Sequence, residues 1–448
     1  MNFSNLCKFL LFVIISFNTF SQVENLSDNS FYTDSTYSKL CNGEFSWKYE
    51  NGQIGEIAKY INGKIDGAYF LYNKDGKINY QANYNYGELN GESTWYYETG
   101  SIHFKSNYIH GQLNGESIYF DKENRIELKE NYKDNQLNGI STSYFNNGNI
   151  KESNTFKKGI LEGESKTYFK NGKISRIIHY VANEPNGECI SYFESGQIQN
   201  KIIYLNDEPN GTSTWYYENG EISNTTNFSL GKKSGLFTSF YENGNIESKG
   251  NYENGFMNGA WSFYDKNKKL ITLKNYLNGI QNGLEISLYQ NGKIKERKIY
   301  VNSEIQGCVT LYYKNGKLLE QCIYENNLKS DTLIRFYKNG KIASKENYIK
   351  GIRQGVSIWN YKNGKLFFTL KYVNNLRHGE FIAYTKKGSM LLSGRYSNDE
   401  VNGEYSMYHQ NGKIALQAIY KNGVISDKIM KLDKNGKHVI ENEKCSNN

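Results

Sequence analysis

The chain has 448 residues, is 38% hydrophobic and carries a formal net charge of +8, with a mean hydropathy of −0.72. That balance is too polar for one large compact core, and after the N-terminus no stretch is apolar enough to span a membrane. Few apolar residues with many charges would point to disorder, but aromatics reach 15%, with 39 Tyr, and they recur in register, which excludes it.

Met1 to Ser21 reads as a cleaved secretory signal. Lys8 supplies a positive flank, Phe9 to Phe17 is an apolar run of 9 residues, and Thr19 and Ser21 are the small residues before a cut at Gln22. A membrane anchor would need a longer run. Cys7 precedes the run, which argues against a lipid-anchored N-terminus. The mature chain is therefore expected to be exported, to the periplasm, the cell surface or the outside, with no transmembrane span. Residues 22–42 form a polar leader, residues 43–440 a repeat array, and residues 441–448 a polar tail.

The array is written in steps of 24 residues. A glycine recurs from Gly52 to Gly436, 16 steps apart, and is missing only at Asn124 and Lys268. A second glycine slot starts at Gly43 and fails only at Asp331 and Asp427. A third slot, Tyr60 to Tyr420, is always Tyr or Phe. An unbroken period of this length argues for one array of stacked units instead of separate globular domains.

One copy, Gly91 to Asn114, reads GESTWYYETGSIHFKSNYIHGQLN. β-formers precede a Gly-containing turn, alternating residues follow it, and an Asn-Gly-type turn ends most copies. The fold class is all-β, an elongated array of antiparallel β-hairpins. Two strands at ~4.8 Å each add ~10 Å per copy, or roughly 150 Å for the array. A single hairpin is marginal, and stacking buries the aromatic ladder. The register stays open. A two-residue Asn-Gly turn sets residue 313 opposite 318, whereas a three-residue turn with left-handed Gly316 pairs 312 with 318. The choice decides which aromatic row faces Ile54, Ile78 and Ile102.

The pattern Gly-x-x-x-x-Tyr-Tyr-x-Asn-Gly-Lys-Ile, followed by Tyr-x-Asn-Gly, resembles the MORN-repeat variant of bacterial proteins. Gly211 to Ile222 and the segments at Tyr313–Lys317 and Tyr361–Lys365 carry the resemblance most clearly, and it covers nearly all of the mature chain. It implies stacked hairpins with a binding or scaffolding role. Such proteins are often labelled antitoxin components, which implies an alternative antitoxin- or immunity-like role on one protein partner. An antitoxin of a cytosolic toxin would lack an export signal.

No Gly-x-Ser-x-Gly elbow, phosphate loop or His-Glu-x-x-His motif occurs. The six histidines show no metal-ligand spacing, so neither a metal, a cofactor nor an enzymatic activity is expected. The glutamates after the first glycine, such as Glu92 and Glu116, read as a solvated edge. An enzyme would need a copy whose polar residues break the pattern and converge, and the break at Asp331 offers Ser330, Thr332 and Arg335.

Two candidate binding surfaces remain. Lys266, Lys269, Lys314, Lys317, Lys338, Lys341, Lys362 and Lys365 flank successive turns and would form a ridge for envelope polysaccharide or lipid headgroups. The alternative is a solvated edge that keeps the array soluble. Trp47, Trp95, Trp215 and Trp359 share one slot, as a face for sugar rings or a protein, or as the packed side of the array. An exported chain offers nucleic acid little opportunity as a partner. Cys41, Cys189, Cys308, Cys322 and Cys445 leave an odd thiol once the signal is gone. Cys308 and Cys322 would bridge only in the three-residue-turn register.

Overall fold

The computed structural model describes residues 42–427 and 429–439. The expected signal segment, nearly all of the leader, the tail, Cys41 and Cys445 lie outside the described residues. Among the described residues every element is a β-strand, and within each of two units the strands pair antiparallel with their chain neighbours. The units divide after Lys173.

Each copy is a hairpin of fixed design. Strand Gly91–Tyr96 pairs with Ile102–Ile109, with Gly91 opposite Tyr108 and Trp95 opposite Phe104. Between them the Gly100 amide donates to the Tyr97 carbonyl at 2.8 Å and the Tyr97 amide to the Ser101 carbonyl at 2.8 Å. Gly100 sits at φ 90°, the left-handed conformation that closes a three-residue hairpin loop. The two copies lacking that glycine keep the same backbone, with Asn124 at φ 63° and Lys268 at φ 66°. Asn takes this conformation readily, whereas for Lys it costs roughly 1 kcal/mol. The hairpin then returns through His110 and Gly111, both at positive φ, the type I′ pattern that matches strand twist.

The open question of register has a composite answer. Tyr312 pairs with Leu318 next to the turn, as a three-residue loop requires, but a β-bulge then sets Leu311 opposite Glu320. The strand bodies therefore follow the register expected of a two-residue turn. The same bulge recurs beside the other turns and places Ile78 opposite Tyr72 and Ile102 opposite Tyr96.

Neighbouring copies are joined by side chains as well as by strand pairing. The turn tyrosine donates its hydroxyl to a carbonyl 23 residues on: Tyr97 to Phe120, Tyr241 to Tyr264, Tyr313 to Phe336 and Tyr361 to Tyr384, at 2.7–2.8 Å. Where His409 replaces it, Nε2 meets the Leu432 carbonyl at 2.9 Å. The turn asparagine does likewise, as from Asn291 to the Lys314 carbonyl at 2.8 Å. At the opposite end the Gly111 amide reaches back to the Leu89 carbonyl at 2.8 Å. Tyr-x-Asn-Gly is thus a joint between copies.

The core is a seam on one sheet face, made by the third residue of each first strand and its partner. Large residues meet small ones at Tyr69 opposite Ala82 and Phe237 opposite Gly250, and small residues meet at Ser93 opposite Ser106 and Ser213 opposite Thr226. Ser93, Ser106 and Ser213 are almost fully buried. Trp261, 2% exposed, lies over Gly250, where a Cβ would come within 2.2 Å of its Cδ2.

Candidate functional site

All eight candidate lysines are exposed at hairpin tips of the C-terminal unit. Several also bind the array together. Lys365 Nζ donates to the Lys387 carbonyl at 3.0 Å, and Lys341 Nζ to the Asn363 carbonyl at 2.5 Å. Lys266 and Lys338 each stand 5.9 Å from the ring of the preceding copy's turn tyrosine, Tyr241 and Tyr313. The turns Lys314–Lys317, Lys338–Lys341 and Lys362–Lys365 each read Lys-Asn-Gly-Lys and hold no acid. Side-chain amides tie tip to tip, Asn291 of the preceding turn to the Lys314 carbonyl and Asn339 to the Lys362 carbonyl, at 2.8 Å.

The four tryptophans are half-buried on the seam side, and their surroundings differ. Trp47 lies across Gly55, with Nε1 on Glu56 at 2.9 Å. Trp95 is stacked between Tyr80 at 4.2 Å and Phe104 at 6.1 Å. Trp359 sits 5.6 Å from Phe368. Trp215 has Asn200 and Asn224 opposite it on its flanking strands.

The Cys308–Cys322 bridge does not form. Cys308 pairs with Ile323 and Cys322 with Val309, so the bulge puts the thiols on opposite faces of the sheet. Both are free, Cys308 exposed and Cys322 buried. Burial pushes the Cys322 thiol above its ordinary range, with the Lys329 charge opposing. A thiol reagent is expected to label Cys308 in the native protein and Cys322 only after denaturation. A cross-linked Cys308–Cys322 peptide in a non-reducing digest would contradict this register.

Sequence inspection missed a charged cluster at the copy that breaks the glycine slot. Where Asp331 stands in place of glycine, the strand begins only at Leu333 and ends at Phe336. Beside it Glu346 is buried, 2% exposed, in a seam slot. Arg335 donates Nη1 to its Oε1 at 2.5 Å and Nε to Glu320 at 2.8 Å. Arg353 holds the other Glu346 oxygen at 2.7 Å, joined there by the Tyr348 hydroxyl at 3.3 Å. Polar residues do converge at this break, but both Glu346 oxygens are engaged by guanidinium groups. The geometry is that of an internal ion pair replacing an apolar seam pair, with no oxygen left facing a substrate. A charge at this position was no signal, because the same slot also holds Glu130, Lys274 and Lys298.

Among the described residues no group of three or more acidic, His or Cys side chains could hold a metal ion. No helix there is long and apolar enough to cross a membrane.

A family model described as MORN repeat variant matches twelve segments spread over the chain: 65–86, 89–110, 137–158, 161–182, 185–206, 209–229, 233–254, 281–302, 305–326, 332–350, 353–374 and 401–422. They add up to more than half of its length. No curated protein matches. Among solved structures, the chain is similar to a TcdB2–TccC3–TEV crystal structure at 10% identity, over 89% of this chain and 23% of that one, with a TM-score of 0.15. It is similar to the Photorhabdus luminescens Tc holotoxin pore at 9% identity, over 88% of this chain and 28% of that one, with a TM-score of 0.14. The chain thus spans about a quarter of the length of these solved chains.

Proposed function

The chain belongs to the MORN repeat variant family, and on that premise we propose that it is an exported, non-enzymatic binding or scaffolding module. In this reading the lysine-bearing tips of the C-terminal unit dock on an anionic surface of the cell envelope, polysaccharide or lipid headgroups. Three successive acid-free tips, Lys314–Lys317, Lys338–Lys341 and Lys362–Lys365, carry the reading, because side-chain bonds join their copies, Tyr313 to the Phe336 carbonyl and Asn339 to the Lys362 carbonyl. Adjacent tips are ~10 Å apart, close to the Debye length of about 10 Å at about 0.1 M salt. Their potentials therefore add, giving a field that attracts a polyanion. Among the described residues the strands are joined by short turns, which supports a role in binding.

Replacing Lys314, Lys317, Lys338 and Lys341 with Gln tests the ridge. A basic residue at an anionic membrane surface contributes about 1 kcal/mol. Four losses are expected to weaken binding to envelope fractions, and to vesicles containing phosphatidylserine, by up to about a thousandfold at low salt. Unchanged co-sedimentation with envelope fractions would overturn the ridge.

A further inference from the structure

In the N-terminal unit the aromatic row is closed upon itself. Tyr80, Trp95, Phe104 and Tyr119 come from four neighbouring strands, with centroids 4.2, 6.1 and 5.6 Å apart and planes within 32° of one another. Trp95 therefore has a ring on either side. In the C-terminal unit the same row is open around Trp215. The position of Phe104 is taken by Asn224, that of Tyr80 by Asn200, and that of Tyr119 by Ser239. The ring that Trp215 does approach, Phe228, is 6.3 Å away and tilted by 50°.

The gap is a groove on four neighbouring strands, lined by Trp215, Asn224, Phe237, Ser239 and Glu247 among others. Its polar groups have capacity to spare. The Asn224 amide donates only a long bond, 3.3 Å to Ser223, and its oxygen accepts an equally long one from Thr226, while Ser239 is held by Ser248 at 2.7 Å and leaves Glu247 at 3.3 Å. Beside Trp215 the Asn200 carbonyl oxygen is buried and has no hydrogen-bond partner, a cost of about 1–3 kcal/mol unless something donates to it.

We infer that this groove binds one ring of a neutral oligosaccharide, an inference that rests on reading the chain as a binding module and names its ligand class. At Asn224 the absence of a ring equivalent to Phe104 leaves a gap one ring thick beside Trp215. A pyranose offers an apolar C–H face to the electron-rich indole face of Trp215. Its hydroxyls both donate and accept, which suits an amide, a hydroxyl and a carboxylate grouped together. An aromatic peptide side chain would stack equally well but would leave those groups unpaired. Lys233 and Glu247, both lining the groove, balance in charge, which gives an ionic ligand no advantage.

The test titrates the chain from Gln22 to Asn448 with chitotetraose, cellotetraose, xylotetraose and mannotetraose, followed by calorimetry and tryptophan fluorescence. At least one tetrasaccharide is expected to bind. Trp215→Ala removes the platform, and Asn224→Phe restores the missing ring; each should weaken binding by at least about tenfold with the circular dichroism unchanged. Phe45→Ala, at an exposed ring of the N-terminal unit, should bind as the parent does. No binding of any of the four, or equal affinity in both groove variants, would overturn the inference. Envelope co-sedimentation of Asn224→Phe separates the two readings. If the sugars fail while this variant and the parent both sediment with envelope, the groove is wrong and the binding module stands. If the parent binds neither, both fall.

Discussion

Replacing Glu346 with alanine is expected to destabilise the C-terminal unit by about 3 kcal/mol. Removing one member of a buried ion pair typically costs 3–5 kcal/mol, because the remaining charges are left without a partner. The lower end applies because Arg335 and Arg353 remain 42% and 30% exposed at the side chain and can recover some hydration. Arg335 also retains Glu320. Exchanging Glu346, Arg335 and Arg353 together for leucine is expected to cost much less than Glu346→Ala alone, since well-packed apolar groups often match a buried pair. Trp359, opposite Ser344 on the neighbouring strand, is a local reporter of chemical denaturation. A change below about 1 kcal/mol for Glu346→Ala would mean that the network behaves as a surface pair.

The second large effect is expected at Gly250. Even alanine there places a Cβ 2.2 Å from Trp261, so the indole has to leave a site where it is 2% exposed and packs 5.3 Å from Tyr252 and 5.6 Å from Phe237. Ordinary overpacking costs about 1–3 kcal/mol. Eviction of a buried Trp approaches the about 3–5 kcal/mol of Trp→Ala, and that larger figure is expected for Gly250→Ala. The pair Gly250→Ser with Trp261→Ser puts at both positions the residue of the equivalent buried sites Ser106 and Ser117. Its cost should fall well short of the sum of the single changes, by more than about 1 kcal/mol. Strict additivity would show that Trp261 and Gly250 do not pack as one pair.

These two sites mark the limit of what the sequence made legible. The slots of Gly52, Tyr60 and the turn tyrosines could be read because each performs one task with a fixed partner, such as Tyr313 with the carbonyl of Phe336. That task holds the Gly52 and Tyr60 slots nearly constant and keeps Tyr in about half of the copies at the turn. The seam shows no such constancy, because there the requirement falls on the pair. Tyr69 with Ala82, Phe237 with Gly250 and Ser213 with Thr226 all satisfy it, and no single column reveals it. Glu346 was overlooked for the same reason.

The register was out of reach for a different reason. Both candidate registers are present, one at the turn and one beyond the bulge, and no residue type marks a bulge formed by Leu319 in one copy and His103 in another. The bridge proposed between Cys308 and Cys322 fails on that one-residue shift alone. Of the candidate surfaces, the exposure of the lysines follows directly from their place at turn tips. The distinction between Trp95, which is closed into a stack, and Trp215, which is open, depends on neighbours in adjacent strands.

Co-sedimentation of the chain from Gln22 to Asn448 with cell-envelope fractions across a salt series tests the proposed function most directly. The lysine ridge predicts binding at low ionic strength that falls steadily as salt is added, since exposed charges are screened beyond a Debye length. Binding that does not respond to salt, or no binding at any salt, would contradict it.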